Sequence, residues 1–148
     1  MTRAIAVGAA LMVALSAAAG GASGRATSGR ALHGKTRQGF SVTLGRPSRG
    51  VRSFSYRARL ACSDGTSFTE GRFADDVRPR RGVFRVRHTS DRGATRTTVA
   101  GTIRGNHAGG TLRILERYGT GLDASGAAPL DPRGPVTCTS GTVRWTAR

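Results

Sequence analysis

At 148 residues, with 24 Lys or Arg against 8 Asp or Glu, the chain has room for one domain and a formal net charge of +16. Lys35 is the single lysine, a bias that G+C-rich codon usage produces, so part of the charge is discounted as a functional signal. Even discounted, the balance favours adsorption to anionic surfaces.

Met1-Thr-Arg3 is a short positive start, and 4–19 is an uncharged alanine-rich run ending in the small-x-small pattern Ala17-Ala-Ala19. The run is shorter than the roughly 20 residues that span a bilayer, so residues 1–19 read as a cleavable signal peptide, with an uncleaved N-terminal anchor as the alternative. No cysteine lies near the cleavage region and no twin arginine precedes it. A secreted or cell-surface location through the general secretory route is expected, with no transmembrane helix in the mature chain. Cleavage removes Arg3 and lowers the net charge from +16 to +15.

Two cysteines in an exported chain pair as a rule, so Cys62 and Cys138 are expected to form one disulfide. A crosslink closing so long a loop contributes about 4 kcal/mol in the chain-entropy model. Residues 20–38 carry Gly, Ala, Ser and Arg with the lone apolar Leu32, and read as a flexible basic tail.

Residues 39–148 change to period two and are expected to form a β domain. Phe40, Val42 and Leu44 mark a first strand. Phe54, Tyr56, Ala58, Leu60 and Cys62 mark the inner face of a second, with Arg57 and Arg59 outward. A two-residue turn at Asp64-Gly65 would pair Leu60 with Thr69, Ala58 with Gly71 and Tyr56 with Phe73, and set Arg59 opposite Glu70. That register leaves Phe68 as an outward aromatic. Asp75 to Gly82 reads as a charged loop holding Arg78, Arg80 and Arg81.

Val83 to His88 is a strand with Phe84 and Val86 inward and Arg85 and Arg87 outward. After a turn through 89–94, Thr97, Val99, Gly101 and Ile103 line one face of a strand that returns at Gly105-Asn106. That turn sets Val99 opposite Leu112, Thr97 opposite Ile114, Ile103 opposite Ala108 and Gly101 opposite Gly110. The paired glycines imply a bend or a close backbone approach. Gly119 to Pro135 is a long loop. The last stretch forms two strand pieces, and a bulge near Ser140-Gly141 would turn Cys138, Val143, Trp145 and Ala147 all inward. About seven short strands argue an all-β antiparallel sandwich or small barrel. The nearby tryptophan resembles an immunoglobulin-type core, but Trp145 follows the second cysteine where that family places it between the two.

Several of these segments together resemble small exported β proteins of actinobacterial type. They are Gln38-Gly-Phe-Ser-Val42, Leu60-x-Cys-x-Asp-Gly65, Gly101-Thr-Ile-x-Gly105, Gly109-Gly-Thr-Leu112 and the terminal Cys138-x-Ser-Gly-x-Val-x-Trp-x-Ala-Arg148. The resemblance covers 39–148. It implies export, one disulfide and a β domain, and carries no functional residue onto this chain.

Catalytic patterns are sparse. His33, His88 and His107 show no zinc-binding spacing, and no serine sits in a Gly-x-Ser-x-Gly elbow. Glu70, Asp75, Asp76 and Glu116 are the carboxylates that could act as a glycosidase pair, and Asp75, Asp76, Asp123 and Asp131 lack calcium-loop spacing. No enzyme activity, metal or cofactor is expected. The arginines remain. Arg57, Arg59, Arg85, Arg87, Arg104, Arg113 and Arg144 all take the outward phase, and a guanidinium face suits phosphate, sulfate or carboxylate polymers. The expected partners are anionic polymers or lipid headgroups of the cell envelope, with no specific nucleic-acid target. The alternatives are a protein-binding or inhibitor-like module using the 119–135 loop, and an unrecognised hydrolase.

Overall fold

The computed structural model describes residues 29–45, 47, 50, 52–122 and 126–148, with the backbone alone for Asp75. The expected signal peptide, 1–19, and the first part of the expected tail lie outside the described residues. Among the described residues nine strands are seen: β1 (Leu32–Thr36), β2 (Ser41–Leu44), β3 (Arg52–Cys62), β4 (Ser67–Val77), β5 (Val83–Ser90), β6 (Thr95–Arg104), β7 (His107–Tyr118), β8 (Val136–Thr139) and β9 (Val143–Ala147). All pairings are antiparallel. Six strands close a ring in the order β3-β2-β1-β9-β7-β8. β4 extends it from β3, and β6 then β5 extend it from β7. The protein is an all-β barrel with extra strands, stapled by the expected disulfide.

The ring closes unevenly. At one end β3 and β7 are separated by β8 alone, where Cys62 lies directly opposite Cys138 and the two are bonded. At the other end β2, β1 and β9 stand between them. β8 and β9 both run along the same edge of β7. Leu115 pairs Thr139 and Leu112 pairs Val143, so two residues on β7 face three on the other side. That is the expected bulge at Ser140-Gly141, with Gly141 at φ +62°. It brings Cys138, Val143, Trp145 and Ala147 to the interior together.

Trp145 sits at the centre, 4.9 Å from the Phe54 ring and 6.1 Å from the Phe84 ring. Gly101 makes this possible. A Cβ there would lie 2.6 Å from Trp145 Cζ2 and 2.9 Å from Phe84 Cζ, so the close approach expected at the Gly101–Gly110 pair is made by the indole. The whole β6–β7 register agrees with the sequence reading.

The β3–β4 register does not. Leu60 faces Phe68, Ala58 faces Glu70, Tyr56 faces Arg72 and Arg59 faces Thr69. The loop holds three residues, not two: Cys62 N–H donates to Thr66 O (2.9 Å), Gly65 N–H to Cys62 O (3.1 Å), and Gly65 takes φ +85°. This is a type I turn followed by a glycine bulge. Asp64 Oδ1 locks it by accepting from Thr66 N–H (3.0 Å) and Thr66 Oγ (2.7 Å), which lowers the Asp64 pKa. One extra residue exchanges the faces of β4. Phe68 turns inward onto Tyr118 with ring centroids 6.0 Å apart, Glu70 and Arg72 turn inward with it, and Phe73 stands 62% exposed.

Two further expectations are corrected. The charged loop expected from Asp75 begins later, since β4 continues through the fully buried Val77. The tail expected to run to Gln38 contains β1, which seats Leu32 and Thr36 in the core between β2 and β9. Gln38 itself is engaged. Its side-chain amide accepts from Arg59 N–H (2.9 Å) and donates to Arg59 O (3.2 Å). Those backbone groups fall in the gap along β3 between its pairing with β2 and its pairing with β8. A glutamine side chain thus stands in for a missing strand, as a sheet's polar groups require.

Candidate functional site

The outer wall of β5, β6, β7 and β9 is where the arginines collect. The register places Arg87, Thr98 and Arg113 in one row across β5, β6 and β7. A second row runs Arg85, Ala100, Thr111 and Arg144 from β5 to β9. Arg104 lies opposite His107 at one end of this wall. Adjacent strands lie about 4.8 Å apart, so Arg87 and Arg113 emerge roughly 10 Å from each other. Threonine, alanine and glycine fill the positions between, which leaves the guanidinium forks standing above a low floor. All five of these arginines are exposed, and none joins the ion pairs seen among the described residues. No Asp or Glu occupies an outward position on the four strands.

Arg96 and Arg117, exposed on β6 and β7 at the other end of the wall, belong to the same face. The sequence reading missed them, though their odd-even phase was the available signal: Arg96 shares parity with Thr98 and Arg104, and Arg117 with Arg113. Arg117 Nη1 also donates to Pro132 O at 3.2 Å, tying the face to the 119–135 loop. Arg57 and Arg59 do not join this wall. They are exposed on β3, with β2 and β1 between them and β9.

Inside the barrel, the shifted β4 register builds a polar cluster that the sequence did not reveal. Glu116 is 1% exposed. Its Oε1 accepts from Arg72 Nη2, reaching across from β4, and its Oε2 accepts from Tyr118 OH at 2.6 Å. Arg72 Nε lies 3.1 Å from Glu70 Oε1, close enough to attract but poorly aligned for a hydrogen bond. Burial, the bond to Glu116 and the nearby carboxylates push the Tyr118 pKa well up. Burial likewise raises Tyr56, against a hydrogen bond with Thr97 that lowers it. Burial raises Glu70, with Arg72 opposing. For Arg72, burial works against the charged form, but the two carboxylates outweigh it and its pKa rises. Both oxygens of Glu116 are thus engaged within the protein, and one guanidinium holds both carboxylates.

Another buried arginine serves structure. Arg52, at the start of β3, donates from Nη1 to Gly45 O (2.9 Å) and Arg30 O (3.1 Å), and burial lowers its pKa.

Of the other residues weighed for chemistry, His88 is exposed on β5 despite its inward phase, because β5 is the last strand of the sheet. His33 and His107 border one depression, of about 590 Å³, with Lys35 and Arg148. A smaller one, of about 290 Å³, lies beside the disulfide between Phe68, Tyr118 and Val136. A third, of about 500 Å³, lies between the Asp91-Arg92 turn and Pro129–Pro132 of the long loop. Among the described residues no three His, Cys, Asp or Glu side chains converge as metal ligands. No family model, curated protein or solved structure matches the chain.

Proposed function

We propose that the protein acts outside the cytoplasm as a non-catalytic β domain that adheres to anionic polymers or lipid headgroups of the cell envelope. The observation that carries this reading is the wall of β5, β6, β7 and β9. It presents Arg85, Arg87, Arg104, Arg113 and Arg144 in register, with no carboxylate among them. Codon bias explains how many arginines a chain has, but not why one face carries them unpaired while β4 pairs its own. A planar fork of donors matches phosphate and carboxylate oxygens two at a time. The location is supported by the signal-like 1–19 segment and by a disulfide, which persists outside the reducing cytosol.

The test is retention on heparin and on teichoic-acid resin across a salt series. Adhesion through the face predicts retention at low salt and elution whose log–log dependence on salt is steep, since bound counterions are released. Flow-through at 50 mM salt contradicts the reading.

A second reading, a protein-binding module, is favoured by the long loop. Its Leu122 is exposed, and Pro129–Pro132 face, across a depression, a turn whose Asp91 and Arg92 both take positive φ, 53° and 55°. Left-handed geometry at two successive non-glycine residues stores strain of the kind found at functional turns. A pull-down that survives deletion of 120–128 removes this reading.

A further inference from the structure

The arginines of β3 and those of the β5–β9 wall are separated by β2 and β1, which meet the wall at a seam with β9. Something specific occupies it. Lys35 on β1 pairs with Thr146 on β9, and Thr146 pairs with Gly109 on β7. The small outward residues at 146 and 109 leave the wall low beside Lys35. Gly34 can be nothing larger, because a Cβ would lie 1.8 Å from Thr146 O. The low ground is the depression of about 590 Å³, and its rim carries His33, Lys35, His107 and Arg148. Those are the chain's only lysine and two of its three histidines.

The rim is fixed by backbone. His33 N–H donates to Arg148 O at 3.1 Å and Arg148 N–H to His33 O at 3.0 Å. Arg104, opposite His107, adds a further cation from β6. β2 contributes the uncharged Thr43, whose Oγ1 lies 3.3 Å from His33 Nδ1. Just past β9 comes the Arg148 guanidinium. No carboxylate side chain lines the depression.

We propose that this depression seats one tetrahedral oxyanion, a phosphoryl or sulfuryl ester group, between Lys35, Arg148 and the imidazoles of His33 and His107. This deepens the anion-adhesion reading and rests on it for the polymer that carries the group. Lys35 supplies a compact charge with three donors and Arg148 a fork. Each imidazole donates from a ring N–H.

The experiment is an NMR titration of the full chain with inorganic sulfate, and separately with inorganic phosphate, against sodium chloride of equal ionic strength. His88, far along β5 from the seam, is the internal control. The expected result is a saturable shift of the His33 and His107 ring signals. The Lys35→Gln/Arg148→Gln variant, which keeps both rings as reporters, should bind sulfate roughly tenfold more weakly. Signals that do not saturate with either anion, or that move in step with His88, overturn the proposal. Heparin retention measured on the same samples separates the two readings. Loss of retention with the sulfate response intact refutes the adhesive wall alone; retention without a sulfate response refutes the seat alone.

Discussion

The two wings of this barrel handle charge in opposite ways. β4 turns Glu70 and Arg72 inward, where Arg72 meets Glu116 from β7 and Tyr118 completes the shell. β5, β6 and β7 turn their arginines outward with no carboxylate partner among the described residues, over an interior of Phe84, Val99, Ile103, Leu112 and Ile114. A guanidinium in the first setting holds the fold together, because its partner cannot be left alone in a dry interior. In the second it contributes almost nothing to stability and is free to meet an outside partner. The same residue type therefore has two roles, and the register of its strand decides which.

That contrast can be broken in several ways. The largest effect is expected at the join between the wings. Replacing Cys62 and Cys138 by alanine should cost about 4 kcal/mol in urea unfolding, since the bond closes a 76-residue separation. A loss below about 1 kcal/mol would show that the strand pairing suffices. Next is Glu116→Ala. It strips Arg72 and Tyr118 of their acceptor and should cost about 2–3 kcal/mol, discounted for the partial exposure of Arg72. Heparin elution should be unmoved.

A third test is alkaline titration followed by tyrosinate absorbance. Tyr56 and Tyr118 are the only tyrosines, and both hold their protons to higher pH in the fold than in the unfolded chain. Stability is level below the ordinary phenol pKa of about 10 and falls as pH rises beyond it, by up to about 1.4 kcal/mol per pH unit for each phenol. Tyrosinate should appear together with unfolding. Independent ionisation near pH 10 in folded protein would contradict the buried cluster. The smallest stability effect belongs to the outer wall. Arg87→Gln/Arg113→Gln should change unfolding free energy by less than about 0.5 kcal/mol, yet lower the salt at which the protein leaves heparin.

How much of this was legible depended on the turns. At Gly105-Asn106 the two-residue turn and two coincident apolar faces admit one register, and every pair from Thr95–Glu116 to Arg104–His107 follows from it. At Asp64-Gly65 the same dipeptide serves a three-residue loop, and phenylalanine at both 68 and 73 offers an aromatic to either register. Only the interior partners of Glu70 and Arg72, 44 residues away on β7 in the case of Arg72, break the tie. β1 was invisible because its inner face is Leu32, Gly34 and Thr36, too small and polar to show alternation. The bulge at Ser140-Gly141 was legible from parity alone, since a cysteine and a tryptophan of opposite phase both had to be buried. Outward arginines could be read one strand at a time. Their assembly on one wall could not, because strand order, with β9 beside β7 and β2 and β1 keeping β3 away, is set by long-range pairing.

The central claim is that the outward wall, rather than total charge, makes the protein adhesive. The slope of log retention against log salt on heparin measures this directly, comparing Arg85→Gln/Arg87→Gln/Arg113→Gln with a variant carrying the same charge change at Arg57, Arg59 and Arg78. The account predicts that the wall variant loses about three units of slope, near one per arginine, while the other stays within about one unit of the parent. Equal losses in the two variants would mean that net charge alone drives binding, and would contradict it.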